Sequence, residues 1–163
     1  MAEETYIEHP NRDKAGSKAA KAVIVLLMLV TAGLVLIITV GGWSVLQGAQ
    51  IVAFFYIGLY VLMAFYVARW NRGLLPVCAA LSILLAVVAG VAAPGWFARD
   101  KAGFEDPTLA PEFLGMLTLV LIPVSVLLVI FAMRGFAQKW NVEIERHSEG
   151  YEYDDRGPAP AGA

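Results

Sequence analysis

From Ala22 to Ala68 the chain runs 47 residues without an Asp, Glu, Lys, Arg or His, and two further uncharged stretches follow, Gly73 to Ala98 and Phe113 to Met133. A helix rises about 1.5 Å per residue and the hydrocarbon core of a bilayer is roughly 30 Å thick, so about 20 apolar residues make one crossing. The first stretch holds two crossings and each of the others one. With 59% hydrophobic residues and a mean hydropathy of +0.67, the chain is predicted to be an all-α integral membrane protein. Lipid is then its solvent, and backbone polar groups must be satisfied within the helices.

The spans are expected at about 22–41, 51–68, 75–93 and 111–134, forming two antiparallel hairpins in a membrane domain over 21–140. Gly41 and Gly42 weaken a helix and suit a turn. Arg69-Trp70-Asn71-Arg72-Gly73 is short enough to make spans two and three antiparallel neighbours. Pro76 fits the first turn of span three, and Pro94-Gly95 closes it. Residues 94–112 form the one long loop, where charged residues alternate with Trp96, Phe97, Phe104 and Leu109 in a composition suited to the membrane interface. Pro123 deprives the Leu119 carbonyl of its helical donor and predicts a kink in span four. Residues 1–20 are rich in charge, and 141–163 carry six acids from Glu143 to Asp155 before a Pro/Ala/Gly end. Both segments read as disordered tails. A cleaved signal peptide is the alternative for span one. Ala22 to Val40 is 19 apolar or neutral residues, longer than the roughly 7 to 15 of an h-region, and no A-x-A-like site follows, which favours a retained span.

Lysine and arginine near span ends fix orientation. Lys14, Lys18, Lys21, Arg69, Arg72, Arg134 and Lys139 fall on one side, against Arg99 and Lys101 on the other. Both termini of a multi-pass cell-membrane protein are therefore expected in the cytoplasm, with 94–112 outside.

All four tryptophans, Trp43, Trp70, Trp96 and Trp140, lie at span ends, where an amphipathic ring anchors at the headgroup level. They also match in pairs: Gly42-Trp43 with Gly95-Trp96, and Trp70-Asn71 with Trp140-Asn141. An aromatic belt explains this spacing, and so does a parallel duplication of one hairpin about an axis along the membrane normal. Span three presents Ala79, Ser82, Ala86, Ala89, Gly90 and Ala93 at three- and four-residue intervals, a small face that lets a second backbone approach closely.

Chemistry is hard to place. Intramembrane ionisable groups, the usual marks of ion paths and proton relays, are lacking. The two histidines, His9 and His147, lie in the polar ends, where they cannot ligate a membrane haem. The one cysteine, Cys78, permits neither an internal disulfide nor a thiolate metal site. Thr31, Thr39, Ser82, Thr118 and Ser125 have no base beside them. No catalytic, cofactor or metal residue is assigned, and no nucleic-acid partner is expected. The expected role is a non-catalytic accessory or scaffold subunit of a larger membrane complex, with an energy-converting assembly as one host class. Its partners would be membrane lipid and either other membrane proteins or further copies of itself. One alternative is an oligomeric channel or carrier for a neutral or hydrophobic solute, for which those five hydroxyls would have to converge on a cavity. A second is a lipid- or quinone-active enzyme using Arg69, Arg72, Asp100 or Glu112, with the aromatics of span two lining a ligand groove.

Overall fold

In the computed structural model, residues 5–99 and 106–147 are described, and four helices in them are long and apolar enough to cross a membrane. Helix α1 is a single turn, Pro10–Asp13. The crossing helices are α2 (Ala15–Gly41), α3 (Ala49–Ala68), α4 (Leu75–Phe97) and α5 (Pro111–Ala137). The protein is an all-α multi-pass membrane protein. At 27 residues, α2 is about 40 Å long against a hydrocarbon core of about 30 Å, so its first turns, with Lys18 and Lys21, belong at the interface.

Each helix buries a narrow stripe. In α2 it runs through Ala20, Ile24, Met28, Thr31, Val35 and Thr39, and in α5 through Leu114, Thr118, Leu121, Ser125, Leu128, Ala132 and Gly135. These steps of three and four residues are those of one helical face. The remaining apolar side chains either border these stripes, as Leu27, Ile38 and Ile57 do, or face outward, as lipid allows. The most extensive backbone approach is between α4 and α5, followed by α2 with α3 and α2 with α5. The order across the bundle is thus α3, α2, α5, α4.

The small face of span three is used in part. Ala79, Ser82, Ala89 and Ala93 are buried and Ala86 is half-buried. Gly90 faces outward, with nothing within 4 Å of where a Cβ would stand, because Ala86 and Gly90 sit at the edge of the stripe rather than on it. Helices α3 and α4 also depart from expectation. The short link between them, including a 3₁₀ turn at Arg72–Leu74, makes them antiparallel, yet their backbones approach little. At mid-depth they are tied by a side-chain hydrogen bond between Tyr60 and Ser82. Ser82 Oγ donates to the Cys78 carbonyl at 2.8 Å, so the Tyr60 hydroxyl is the donor in the 3.0 Å bond to Ser82 Oγ.

Two prolines lie within helices. Pro94 does not end α4, which continues to Phe97, and Pro123 lies inside an unbroken α5. Pro123 is exposed, so the Leu119 carbonyl it deprives of a donor lies in the lipid-facing wall rather than in the core.

The largest correction concerns the ends. Residues 5–20 and 141–147, expected to be disordered, are structured. Strand β1 (Thr5–Glu8) pairs antiparallel with β2 (Ile144–His147), Thr5 opposite His147 and Glu8 opposite Ile144. Local composition could not disclose this, because the partners are nearly the whole chain apart and meet only through the packing of α2 on α5. Residues 1–4 and 148–163 of the expected tails, and 100–105 of the expected loop, lie outside the described residues.

Candidate functional site

Two places hold polar groups in unusual surroundings, one at each end of the bundle. At the end carrying β1 and β2, three separate segments interlock around Trp140. This residue is fully buried, in T-shaped contact with Trp70 at a centroid distance of 5.3 Å. Gly135 makes room for it, since a Cβ there would stand 2.9 Å from Ile24 Cδ1, 3.1 Å from Trp140 Cζ2 and 3.2 Å from Leu75 Cδ1. Trp140 Nε1 donates to Gln138 Oε1 at 2.9 Å.

Basic side chains close the helix ends here. The last carbonyls of a helix have no intrahelical donor and carry partial negative charge. Lys21 Nζ donates to the Ala68 carbonyl at 3.2 Å while standing 3.9 Å from the Trp70 ring centre. Arg72 Nε donates to the Phe136 carbonyl at 2.6 Å, its NH1 donates to Asn141 Oδ1 at 2.7 Å, and its guanidinium lies 4.1 Å over the Phe136 ring. Arg12 Nε reaches the Trp140 carbonyl at 3.0 Å and Asn11 Nδ2 the Lys139 carbonyl at 3.1 Å. Residues counted for orientation thus also hold the ends together.

The second place is a pocket of about 470 Å³ at the opposite end, between the last turns of α2, the first half of α3 and the second half of α4, with Thr118 and Leu121 of α5 behind. It exists because the first half of α3 stands away from the bundle: every fully buried residue of α3 lies from Tyr60 onward. Val52, Leu84 and Val88 at its rim are more than half exposed, so the pocket opens sideways, toward lipid. Its wall is apolar. Thr39 and Thr118 contribute hydroxyls, each donating to the carbonyl one turn back, Val35 at 2.6 Å and Leu114 at 2.8 Å. Tyr56 also lines it, and the Tyr56 hydroxyl is buried with no hydrogen-bond partner among the described residues. Half-buried Arg99 stands at the rim, 5.4 Å over the Trp96 ring.

The sequence-selected residues fare unevenly. Of the tryptophans, only Trp43 is exposed, edge-on to Phe54 at 6.1 Å. Trp96 and Trp140 are buried, each in a gap left by a glycine, and Trp70 is half-buried against Trp140; Trp96 lies over Gly42, where a Cβ would stand 2.5 Å from its ring. Trp96 and Trp140 are thus core residues at the bundle ends. The two hairpins differ locally as well: Trp43 is exposed in a 3₁₀ turn while Trp96 is buried inside α4, and the positive φ near each Trp-Asn pair falls on Trp70 in one and Lys139 in the other.

The five span hydroxyls do not converge. Thr31 donates to the Leu27 carbonyl at 2.8 Å, Ser82 is tied to Tyr60, and fully buried Ser125 has no partner among the described residues. Only Thr39 and Thr118 reach the pocket. Arg69 lies over the Phe65 ring at 4.5 Å and Glu112 is exposed in the first turn of α5, neither lining the pocket, while Asp100 lies outside the described residues. Among the span-two aromatics, Phe54, Phe55, Phe65 and Tyr66 face outward, and Tyr56 alone lines this pocket. A separate recess of about 510 Å³ between α3 and α4 is bordered by Met63, Tyr66, Leu74 and Leu81. Among the described residues no three His, Cys, Asp or Glu side chains come together.

No family model, no curated protein and no solved structure matches the chain.

Proposed function

We propose that the protein is a non-catalytic accessory or scaffold subunit of a larger membrane protein complex, an energy-converting assembly being one host class. The observation that carries this reading is the β1–β2 ribbon. Two four-residue strands are too little to be stable alone, and each offers an edge with no strand beside it among the described residues. Tyr6, Ile7 and Ile144 on this ribbon are exposed at 55%, 60% and 43%. Apolar side chains and open edges beyond the membrane-crossing helices are what strand addition by a partner uses. The interlocked ends beneath it give such a platform a fixed position on the bundle.

In this reading the ribbon lies in the cytoplasm of a cell-membrane protein, as the lysine and arginine distribution favours. Cys78 is fully buried, so a single cysteine introduced by Thr108→Cys is the one site open to reagent. It should label with an impermeant maleimide on intact cells; labelling only after lysis reverses the orientation.

The functional test is gentle detergent extraction of the tagged full chain followed by mass spectrometry. A stoichiometric membrane-protein partner is expected, and Ile7→Lys together with Ile144→Lys should release it while the helical content stays unchanged. Recovery of the chain alone, or only as a homo-oligomer, refutes the accessory reading.

The channel reading loses its support where the hydroxyls turn to their own carbonyls. The lipid- or quinone-active enzyme reading gains a pocket without two reactive side chains beside it.

A further inference from the structure

We propose that the lateral pocket between α3 and α4 holds one chain of an anionic amphiphile drawn from the bilayer, with the charged head resting on Arg99. The inference is independent of any protein partner. Along α4 and the turn after it the lining runs from Leu84 to Arg99, which is about 20 Å at about 1.5 Å per residue. The depth of one leaflet's hydrocarbon is about half of 30 Å. With Arg99 at headgroup level, the outer part of the lining, about 5 Å, takes the head and the remaining depth matches one leaflet's chain.

The volume selects the occupant. About 470 Å³ falls within the roughly 300–1,000 Å³ of small-molecule sites. A helix 10–12 Å across would need several times that volume over the same length. Water is a poor occupant as well: the Thr39 and Thr118 protons are already committed to carbonyls, which leaves the Tyr56 hydroxyl as the unpartnered side-chain group of the lining among the described residues, and a buried water needs two to four polar partners. A flexible apolar chain fits, and entry requires no opening motion because exposed Val52 and Val88 flank the mouth. Arg99 then supplies the preference for a negative head. It stands two residues beyond the end of α4, its guanidinium 5.4 Å over the Trp96 ring, and the end of a membrane-crossing helix is where anionic headgroups are met. A phospholipid phosphate and a fatty-acid carboxylate share this chemistry.

The full chain is purified in mild detergent, and native mass spectrometry then reads what remains bound. It is also reconstituted in nanodiscs of phosphatidylcholine containing one-fifth phosphatidylglycerol, and the lipid retained on re-extraction is weighed. One retained amphiphile per chain is expected, its mass telling phospholipid from fatty acid, with phosphatidylglycerol enriched over phosphatidylcholine. Arg99→Gln should reduce that enrichment about fivefold, the value of one basic residue near an anionic surface, while a chain is still retained. Ala53→Phe, which fills the pocket from the α3 wall, should remove retention of either lipid. Ala92→Phe fills it from the α4 wall and replaces Ala53→Phe if that variant loses its helical spectrum. No retained amphiphile on the wild type, equal retention of the two lipids, or wild-type retention by the filled variants overturns the proposal.

Discussion

Replacing Trp140 by alanine should cost about 3–5 kcal/mol, the range for deleting a large buried aromatic, and lower the unfolding midpoint on the order of 10 °C for a chain of this size. Trp140 is fully buried beside Ile24, Leu75 and Gly135, so truncation leaves a hole touching α2, α4 and α5 at once. It also removes the edge contact to Trp70 and the indole bond to Gln138. Thermal unfolding of the detergent-solubilised full chain, followed by far-UV circular dichroism, reads the effect. Two comparisons give it meaning. Trp70→Ala takes away a half-buried ring and the cation contact from Lys21 and should fall between. Trp43→Ala removes a ring that is 51% exposed and should cost less than 1 kcal/mol, as surface substitutions do. If Trp43→Ala proved as damaging as Trp140→Ala, the tryptophans would be serving as membrane anchors after all, and the core role given to Trp140 would be wrong.

That contrast marks where sequence reasoning reaches its end. The four crossings were legible because absence of charge over 20 or more residues is a statement about solvent, and solvent acts on every residue of the span independently. Helix limits were legible at glycines and at the link after Ala68, and less so at Pro94, where a proline on an exposed face leaves the helix running. What could not be read is anything that depends on which faces meet. Trp43 and Trp96 are alike in sequence, each following a glycine at a span end, yet the Trp96 ring lies over Gly42 while Trp43 faces outward. The small face of span three was visible as a pattern, but Gly90 lies off the seam by one step of the helix. The pairing of β1 with β2 and the stand-off of α3 that creates the pocket are likewise non-local. Ala49, Ala53 and Tyr56 lie on one helical face, the only local trace of the pocket wall, and a small-residue face in a membrane helix more often receives another helix.

The basic residues were legible in position, but their hydrogen bonds were not. Charge asymmetry across a membrane requires only that lysines or arginines sit near the span ends. It says nothing about whether a given side chain points to headgroups or back to the protein. Among the residues used for orientation, Lys21 and Arg72 turn back and cap the carbonyls that α3 and α5 leave open. This satisfies helix ends, and each bond ties the two members of one expected hairpin, Lys21 of span one to the end of span two and Arg72, at the start of span three, to the end of span four.

Arg72 separates the two purposes experimentally. Its guanidinium makes two bonds in different directions, to the Phe136 carbonyl and to Asn141 Oδ1, while stacking on the Phe136 ring. Arg72→Met keeps most of the stem and loses both bonds. A hydrogen bond to a charged group contributes about 1.5–3 kcal/mol, and partial exposure of Arg72 places the sum near the lower end, about 2 kcal/mol. Arg72→Lys keeps the charge but replaces a planar fork with a single ammonium that cannot serve both acceptors and stack, so it should lose at least half as much. Orientation depends on charge alone, and the labelling pattern of Thr108→Cys should be the same in Arg72→Lys as in the wild type. The loss should also be felt beyond the bundle. Asn141 lies three residues before β2, and without its tether the amides of Ile144–His147 should exchange hydrogen faster while those at the centre of α4 and α5 keep their protection. An Arg72→Lys protein with unchanged stability and unchanged β2 exchange would mean that charge is all this position supplies, and the fork geometry would then carry no weight in holding the ribbon to the membrane domain.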